Sequence, residues 1–499
     1  MITLLLCDSP FINEDTISHL NYKNVEPTVA VNGRNVVAVW MAKDNAGLIH
    51  LYSRLSTDGG YSWGTPYEIR FNPVGYECKS TDPLLQPNPD DAGKFYLVYL
   101  ALCDTIDVSS PPMHKRKWFV RFCRLTGNID DTCVVLKGYI FGDTLHDTVP
   151  KDYPKMAVAP GGKIVVSVAH WYKPSPGYYQ IVVYHSTDGG SSWSGPTPIN
   201  SNIWAITSYL AYSGGRFYLT FANLNVLYDI TSSRITIGLA YSDDYGATWD
   251  IVDTAVIWYL AGRTLKCKDT TRVIYNRATK HMHSMIAKGD TIAIAYVRFN
   301  SLKTCNVRVA YNYSLSPYGW AGRWADSTLS NDQIQPVIVQ SAGVWFVFWK
   351  ERSDTVDYIT KAWRVEWAKS VDRGASWIYG GRVSSDTFLM FDDTTGGDYM
   401  GFVFNEGALY GVWGNDRRFP TAMVFFTRTT PGIISADEGR EEEGSPPFRV
   451  SGGSLTLLTF GRVYSASGRL VYEGKGRVSL PRGAYFVKVG GRVFKVLIR

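Results

Sequence analysis

Four segments of eight residues share the pattern Ser-x-Asp-x-Gly-x-(Ser/Thr)-Trp, and each follows a run of residues typical of a β-strand. The Asp carboxylate can accept hydrogen bonds from backbone N–H groups two or more residues further on. The Gly suits a backbone position with positive φ, and the Trp ring can pack beneath the turn as the returning strand begins. The pattern therefore predicts four tight hairpin turns in a repeated unit. Its defining residues are Ser56, Asp58, Gly60 and Trp63; Ser186, Asp188, Gly190 and Trp193; Ser242, Asp244, Gly246 and Trp249; and Ser370, Asp372, Gly374 and Trp377.

These segments resemble the Asp box, or bacterial neuraminidase repeat, of sialidase-like β-propellers. The resemblance implies that the turns are structural and lie on the face opposite the active site. The four aspartates of the pattern are therefore not expected to be catalytic. A ligand is expected on the other face, over the central channel.

The spacing of the repeats predicts the number of blades. The segments begin at residues 56, 186, 242 and 370, so the middle interval is about half as long as the other two, and eroded copies are expected near residues 121 and 311. A second marker is a Gly followed by a short β-rich run that ends in an aromatic residue. It occurs at residues 33–40, 93–99, 215–221, 289–296, 343–349 and 407–413, and residues 162–170 are a seventh run with a different end.

Seven such strands, alternating as strands do, predict an all-β chain with a seven-bladed β-propeller over about residues 20–430, within a domain of residues 1–432. A six-bladed ring, as in the sialidases themselves, is the alternative. The last unit lacks a turn segment and a Trp after its third strand. Residues 2–6 could add the missing outer strand and remove an exposed sheet edge.

Residues 433–449 are charged and contain Pro-Pro, as expected of a linker. Alternating strands separated by Ser-Gly and Arg-Gly turns then predict a small β-sandwich over residues 450–499. Its Gly-Arg-Leu-Val, Leu-Pro-x-Gly-x-Tyr-Phe-Val and basic last-strand motifs resemble the type A sorting domain of the type IX secretion system. The resemblance implies the secretion machinery as a partner, with release or attachment at the outer cell surface. A generic carbohydrate-binding or spacer sandwich is the alternative.

Composition narrows the classes of function. Aromatic residues make up 14% of the chain, which suits a propeller and sugar stacking, whereas the net charge of +6 is spread out and does not favour nucleic acid. No apolar run is long enough to span a membrane. Residues 1–7 look like the tail of an apolar segment without a basic region, so a secretion signal is expected to be absent from this chain. No spacing typical of a metal site occurs, and neither metal nor cofactor is expected.

The chain has seven cysteines, and their positions suggest three pairs. Cys123 and Cys133 flank the eroded turn of the second unit. Cys78 with Cys103, and Cys267 with Cys305, occupy equivalent places around the second and fifth units. Cys7 is then left over. Buried free thiols are the alternative, because pairing cannot be read from a sequence.

Three arginines lie at similar offsets past the aromatic residue in successive units, namely Arg298, Arg352 and Arg417. Guanidinium groups that converge can bind a carboxylate in bidentate fashion, which is how sialidases hold their acidic sugar. Solvated loop charges are the alternative. His170 and Trp171 follow the corresponding strand of the third unit and complete the predicted ligand site.

The sialidase motif Arg-Ile-Pro is missing, and Glu26-Pro27-Thr28 stands in its place. A Tyr/Glu nucleophile pair cannot be located, and the carboxylates of the loops offer only Asp44, Asp104, Glu351 and Asp416 as catalytic candidates. The sequence thus predicts a secreted or cell-surface propeller that binds an extracellular glycan or protein on the face opposite the Asp boxes. A sialidase-like glycoside hydrolase is the alternative, and a purely structural surface protein is a third possibility.

Overall fold

The computed structural model describes residues 11–18, 22–71, 73, 76–106, 114–136, 151–172, 178–199, 204–225, 234–259, 283–299, 305–315, 319–327, 331–352, 362–389, 399–418, 421–429, 448–451, 454–465, 470–479, 481, 483–489 and 492–498. All regular elements in these ranges are β-strands. The chain divides into two compact units, of which the larger is Phe11–Thr430 and the smaller includes Pro431–Arg499.

The larger unit is a propeller of seven antiparallel blades. The first strand in the chain is β1 (Phe11–Thr16). Blade 1 contains β2 (Lys23–Asn32), β3 (Asn35–Lys43), β4 (Ile49–Ser56) and β5 (Tyr67–Ile69). Blade 2 contains β6 (Tyr76–Pro87), β7 (Lys94–Ile106), β8 (His114–Thr126) and β9 (Ile129–Leu136). Blade 3 contains β10 (Lys151–Ala159), β11 (Lys163–Tyr172), β12 (Tyr178–Ser186) and β13 (Ser194–Pro198).

The remaining four blades follow in chain order. Blade 4 contains β14 (Trp204–Ser213), β15 (Arg216–Asn225), β16 (Arg234–Ser242) and β17 (Asp250–Tyr259). Blade 5 contains β18 (His283–Lys288), β19 (Thr291–Phe299), β20 (Cys305–Asn312) and β21 (Ala321–Trp324). Blade 6 contains β22 (Gln333–Ser341), β23 (Val344–Arg352), β24 (Ala362–Ser370), β25 (Ile378–Arg382) and the short β26 (Phe388–Leu389). Blade 7 contains β27 (Met400–Asn405), β28 (Ala408–Arg418) and β29 (Thr421–Thr429). The predicted seven-bladed propeller is confirmed, and the six-bladed alternative is wrong.

The core of the propeller lies between blades. The second strand of each blade is covered on both faces, so it reads as a nearly continuous apolar run, and residues 36–42 of β3 are all buried. Apolar clusters join successive blades, as where Val37 of blade 1 packs in one cluster with Leu97 of blade 2. Blades 6 and 7 meet through Phe348 and Phe402, whose stacked ring centroids lie 3.9 Å apart.

The ring is closed by the N-terminal strand. β1 pairs antiparallel with β29, with Phe11 opposite Thr429 and Thr16 opposite Phe425, and so supplies the fourth strand of blade 7. The sequence correctly predicts an N-terminal outer strand but places it at residues 2–6, which lie outside the described residues. The apolar run was misleading, because an outer strand faces solvent and the polar sequence Asn-Glu-Asp-Thr within β1 suits that position.

The described part of the smaller unit contains β30 (Phe448–Ser451), β31 (Ser454–Ser465), β32 (Leu470–Ser479), β33 (Gly483–Val489) and β34 (Arg492–Ile498). Hydrogen bonds join all five strands in one antiparallel sheet. The predicted arrangement in two packed sheets stays a prediction. Within the described residues no helix has the length and apolar composition needed to cross a bilayer.

Candidate functional site

The four repeated segments form what we call the Ser-x-Asp turns, which connect the third and fourth strands of blades 1, 3, 4 and 6. In blade 3 the Ser186 hydroxyl donates to Asp188 Oδ1 at 2.8 Å and accepts from the Gly190 N–H at 2.9 Å. Ser192 donates to Asp188 through its backbone N–H at 2.9 Å and its hydroxyl at 2.5 Å. These two hydrogen bonds lead the causes that lower the pKa of Asp188 to about 2. The other three turns repeat the pattern.

Each Ser-x-Asp turn also packs against the blade that precedes it. The Trp193 ring meets Phe122 of blade 2 at 4.9 Å between centroids, and the Trp63 ring meets Phe426 of blade 7 at 4.8 Å. A Cβ atom added at Gly190 would lie 2.2 Å from Phe122 Cε1, so only glycine allows this approach. The turns therefore join blades, which is a structural role.

The strand order defines two faces of the propeller. In an antiparallel blade the connections between strands 1 and 2 and between strands 3 and 4 leave at one end of the sheet, which we call the turn face because it carries the Ser-x-Asp turns. The connection between strands 2 and 3 leaves at the other end, which we call the loop face. Arg298 and Arg352 lie at the loop-face ends of β19 and β23. The innermost strands also begin at the loop face.

Four innermost strands are interrupted by the same device, a residue with positive φ followed by Pro. The pairs are Glu26-Pro27, Asp82-Pro83, Tyr153-Pro154 and Gln335-Pro336, and φ of the first residue lies between 50° and 53° in all four. The register of each inner strand with its neighbour shifts at this point. A proline has no N–H to donate, so it fits a position that the ladder leaves unpaired. We call these interruptions the x-Pro bulges.

The bulges surround the central channel near its loop-face mouth. The channel holds about 840 Å³ of space free of protein atoms, open solvent included. All seven innermost strands line it. Their contributions include Thr28, Leu84, Lys155, Tyr209, His283, Val337 and Phe402. A concave, mostly apolar cavity with a few polar groups is the usual form of a small-molecule site.

Tyr399, directly before β27, reaches from blade 7 to blades 2 and 3. Its hydroxyl lies 3.2 Å from Asp82 Oδ1, and Lys155 Nζ lies 4.1 Å from the centre of its ring. The Tyr153 ring meets the same ring edge-on at 6.2 Å. Glu26 is close enough to act electrostatically on the phenol. These five residues form a group at the channel mouth that we call the collar.

The pKa values of Asp82 and Tyr399 in the collar are both raised, which favours the protonated form of each group. Burial raises the pKa of Asp82, and hydrogen bonds from Thr81 and Tyr399 together with the Lys155 charge oppose that rise. Burial, followed by the nearby Asp82, raises the pKa of Tyr399 well above its usual value. Tyr399 is therefore a neutral phenol that donates to Asp82 at neutral pH. A carboxyl group with a raised pKa in a cavity can act as a general acid.

Two of the predicted site residues belong instead to a buried polar network in blade 6. Glu351 is buried and accepts hydrogen bonds at 2.9–3.1 Å from four side chains, so it holds the blade together and is not available to a ligand. The donors are Asn331, Gln333, Trp349 and Arg364. Arg352 forms an ion pair with the buried Asp332 at 3.3 Å. Its anion partner is thus a side chain of its own blade.

The other predicted arginines are not brought together by any described contact. Arg298 lies beside Tyr296, two residues earlier on the same strand, where its charge is one of the causes that oppose the rise in the pKa of that phenol through burial. The side chain of Arg417 lies outside the described residues, as do those of Asp416 and Trp171. Convergence of the three guanidinium groups on an acidic ligand stays a prediction.

The remaining predicted ligand and catalytic candidates have local positions. Asp44 accepts a hydrogen bond at 2.9 Å from the Leu48 N–H and so closes the turn between β3 and β4. Asp104 is half-buried in β7, opposite Glu77. His170 is buried in β11, opposite Lys151.

Blade 2 contains two disulfides that join neighbouring strands. Cys78 of β6 bonds Cys103 of β7, and Cys123 of β8 bonds Cys133 of β9, which are two of the predicted pairs. The side chains of Cys267 and Cys305, and all of Cys7, lie outside the described residues. No group of His, Cys, Asp and Glu suited to a metal ion occurs in the part of the chain that the structure describes.

The sequence interpretation missed the collar. Of its members, only Glu26 lies in a segment that the sequence patterns single out, as a departure from a sialidase motif. The available signal was the dipeptide x-Pro, which recurs in four units shortly before the Gly of the second marker. Four copies at one place in the repeat indicate a shared backbone feature of the innermost strand. Tyr399 has no such signal, because the residues that it contacts are hundreds of positions away in the sequence.

Comparisons with known proteins find similarity to solved structures only. No family model and no curated protein matches the chain. A Trypanosoma rangeli sialidase with the inhibitor DANA matches with 12% identity and a TM-score of 0.42, over 82% of this chain and 55% of that one. The phage phi92 endosialidase matches with 10% identity and a TM-score of 0.42, over 98% and 88% of the two chains.

A GH93 α-L-arabinofuranosidase of Fusarium graminearum matches with 10% identity and a TM-score of 0.41, over 68% of this chain and 93% of that one. The chain spans only about half the length of the Trypanosoma enzyme. At these identities and scores the likenesses assign no activity. The seven-bladed fold itself is established by the strand order of the blades.

Proposed function

We propose that the protein is an extracellular glycan-binding propeller whose ligand enters the central channel from the loop face and contacts the collar. The observation that carries this proposal is the meeting of Asp82 with Tyr399 and Lys155, two residues that line the central cavity. A sugar ring presents an apolar face and a rim of hydroxyl groups. Aromatic rings beside a carboxyl and an ammonium group complement both parts.

The disulfides support an extracellular location, because disulfides persist in oxidising compartments. We further propose that residues 450–499 direct export through a type IX secretion system, as their resemblance to its sorting domains implies. Fusing this segment, behind a suitable signal peptide, to a reporter in a bacterium that has the system tests the idea. A reporter that stays in the periplasm contradicts it.

Glycoside hydrolysis, including a sialidase-like reaction, is the second candidate. It is favoured by the raised pKa of Asp82, which suits a general acid, and by a second carboxylate, Glu26, near the same phenol. Glycosidases commonly use two carboxyl groups, and the separation of the two groups distinguishes retention from inversion.

A glycan array tests binding, and a panel of fluorogenic glycosides that includes a sialoside tests hydrolysis. Removing a charged hydrogen-bonding group from the collar should weaken binding about tenfold or more, so we expect this loss for Asp82→Asn and for Lys155→Met. Asp44→Asn is the matched control, because it changes a loop-face carboxylate outside the collar. Unchanged binding by the Asp82 and Lys155 variants, or an equal loss in the control, contradicts the collar as the site.

A further inference from the structure

Within the described residues, the innermost strand of blade 2 extends further towards the loop face than the innermost strands of the blades beside it. Its innermost strand, β6, begins six residues before the x-Pro bulge at Asp82. β2 and β10, the described inner strands of the flanking blades, begin only three and two residues before theirs. At about 3.4 Å per residue, the difference is about 10 Å.

The extra residues are fully paired. Tyr76 of β6 stands opposite Thr105 of β7, and β7 continues to pair with β8 as far as Ile106 and His114. We call this projection the blade-2 wall; it comprises residues 76–81 of β6, 101–106 of β7 and 114–119 of β8. The wall is therefore a three-stranded sheet that extends past the flanking inner strands.

The side of the wall that faces blade 1 is strongly braced. Cys78 and Cys103 lie directly opposite each other and form a buried disulfide within the apolar cluster shared by blades 1 and 2. Phe71, in the connection from blade 1, packs edge-on against Phe119 with 5.8 Å between centroids. Lys117 Nζ lies 5.1 Å from the centre of the Tyr76 ring. These contacts fix the wall in one position.

The opposite side of the wall is mixed, because Glu77 and Lys79 share it with Leu102 and Trp118, which lie in register with Lys79 on β7 and β8. Side chains alternate along a strand, so Glu77 and Lys79 point away from the face that buries Cys78 and Ser80. Glu77 is exposed and Lys79 is half-buried. The same strand continues without a break to Thr81 and Asp82, and the Thr81 side chain is among the groups that oppose the rise in the pKa of Asp82. The strand that carries Glu77 and Lys79 thus leads directly into the collar.

We propose that the blade-2 wall is a second part of the ligand site, which holds the sugar units of a glycan beyond the unit that reaches the collar. This inference rests on the proposed function. A braced wall that extends about 10 Å past the described inner strands of the flanking blades, with Glu77 and Lys79 on one side, offers hydrogen bonds to a chain that leaves the channel. The ligand is accordingly an oligosaccharide, and the wall sets the preference for chain length and for the inner sugars.

The test uses the full chain on a glycan array that carries each terminal sugar both as a monosaccharide and as the end of di- to tetrasaccharides. We expect the wild type to bind the longer glycans more tightly. The double variant Glu77→Ala/Lys79→Ala removes the polar groups and leaves the disulfide intact. It should lose about tenfold in affinity for the longer glycans and keep its affinity for the monosaccharide.

The two disulfides provide a matched pair of variants. Cys78→Ser/Cys103→Ser loosens the wall, whereas Cys123→Ser/Cys133→Ser removes a disulfide between the outer strands of the same blade. We expect only the first to lose the preference for longer glycans. Asp82→Asn, in the collar, should weaken binding to short and long glycans alike.

Three results overturn the inference and leave glycan binding at the collar intact. They are the absence of a length preference in the wild type, an unchanged preference in Glu77→Ala/Lys79→Ala, and an equal loss in both disulfide variants, which would indicate a general effect on stability. The absence of any array signal with the wild type overturns the proposed function, and the inference with it.

Discussion

The second glycine of the Ser-x-Asp turn in blade 3 offers a strict test of the idea that these turns join blades. Gly189 and Gly190 are adjacent, and both have positive φ, 71° and 82°. A Cβ atom at Gly190 would lie 2.2 Å from Phe122 Cε1 in blade 2, whereas at Gly189 the nearest atom is the Tyr96 hydroxyl at 3.6 Å. Alanine at either position therefore strains the backbone in the same way, but only alanine at Gly190 clashes with a neighbouring side chain.

The expected magnitudes follow from these distances. A left-handed backbone costs a residue with a Cβ about 1–2 kcal/mol, so Gly189→Ala should lower the free energy of unfolding by that amount. At Gly190 the methyl group must in addition displace the Phe122 ring, which also packs on Trp193. Overpacking of this kind costs about a further 1–3 kcal/mol. Gly190→Ala should thus lower the free energy of unfolding by about 2–5 kcal/mol.

Urea unfolding of the two variants and the wild type measures both changes. A second pair of variants isolates the clash. In a background of Phe122→Leu, the smaller side chain leaves room for the new methyl group, so Gly190→Ala should cost less than in the wild type, while Gly189→Ala should cost the same. Equal losses at the two glycines, or no coupling between Gly190 and Phe122, would refute the inter-blade role of the turn.

Three further predictions concern the propeller. Hydrogen bonds hold the pKa of Asp188 at about 2, below the value near 4 of an Asp in the unfolded chain. The stabilisation from the Asp188 carboxylate should therefore be complete above about pH 4 and lost as the pH falls towards 2. Asp188→Asn should flatten this part of an acid-unfolding curve followed by circular dichroism. Deleting residues 1–16 removes β1 and exposes the edge of β29, so the melting temperature should fall sharply. A chain that ends at residue 432 retains all seven blades and should melt with the propeller transition of the full chain; unfolding of this shorter chain would show that the domain boundary is wrong.

The blade count could be predicted because each blade carries its own local signals. A turn such as residues 186–193 depends on hydrogen bonds within a few residues, so its chemistry can be read from a single segment. Units that contact mainly their neighbours repeat these signals along the chain. The outer strand of blade 7 was misplaced because its partner, β29, lies at the far end of the propeller sequence, where no local signal marks the pairing.

The ligand site was harder to predict because its contacts are not local. Equal offsets suggested that Arg298 and Arg352 share a site, but an offset does not indicate what stands beside a side chain. Asp332, twenty residues before Arg352, neutralises it within blade 6. The collar joins Tyr399 to Asp82 across a separation of 317 residues. Such a contact forms because the ring closes. The repeat pattern predicts that the ring closes, but it does not indicate which residues then meet.

Three of the four x-Pro bulges contribute a residue to the collar, which lies on one side of the ring. The members of the collar come from Tyr399 beside blade 7 and from blades 1, 2 and 3, which are neighbours around the ring. On the opposite side, inner-strand residues of blades 4 and 5 form hydrogen bonds to the preceding blade. Ser208 bonds Ser167 of blade 3 at 2.8 Å, and His283 bonds Thr220 of blade 4 at 2.9 Å.

The charged groups of the collar thus lie on one arc of the channel mouth, and the blade-2 wall stands within that arc. Asp82 connects the two features, because it is both the bulge residue of β6 and the hydrogen-bond partner of Tyr399. A bulge re-aims a side chain without changing the strands on either side of it. The interruption at Asp82-Pro83 therefore brings Asp82 to Tyr399, while the strand before it continues as the wall. On this reasoning the collar and the wall form a single site, and Asp82→Asn should weaken every glycan interaction that the wall variants weaken.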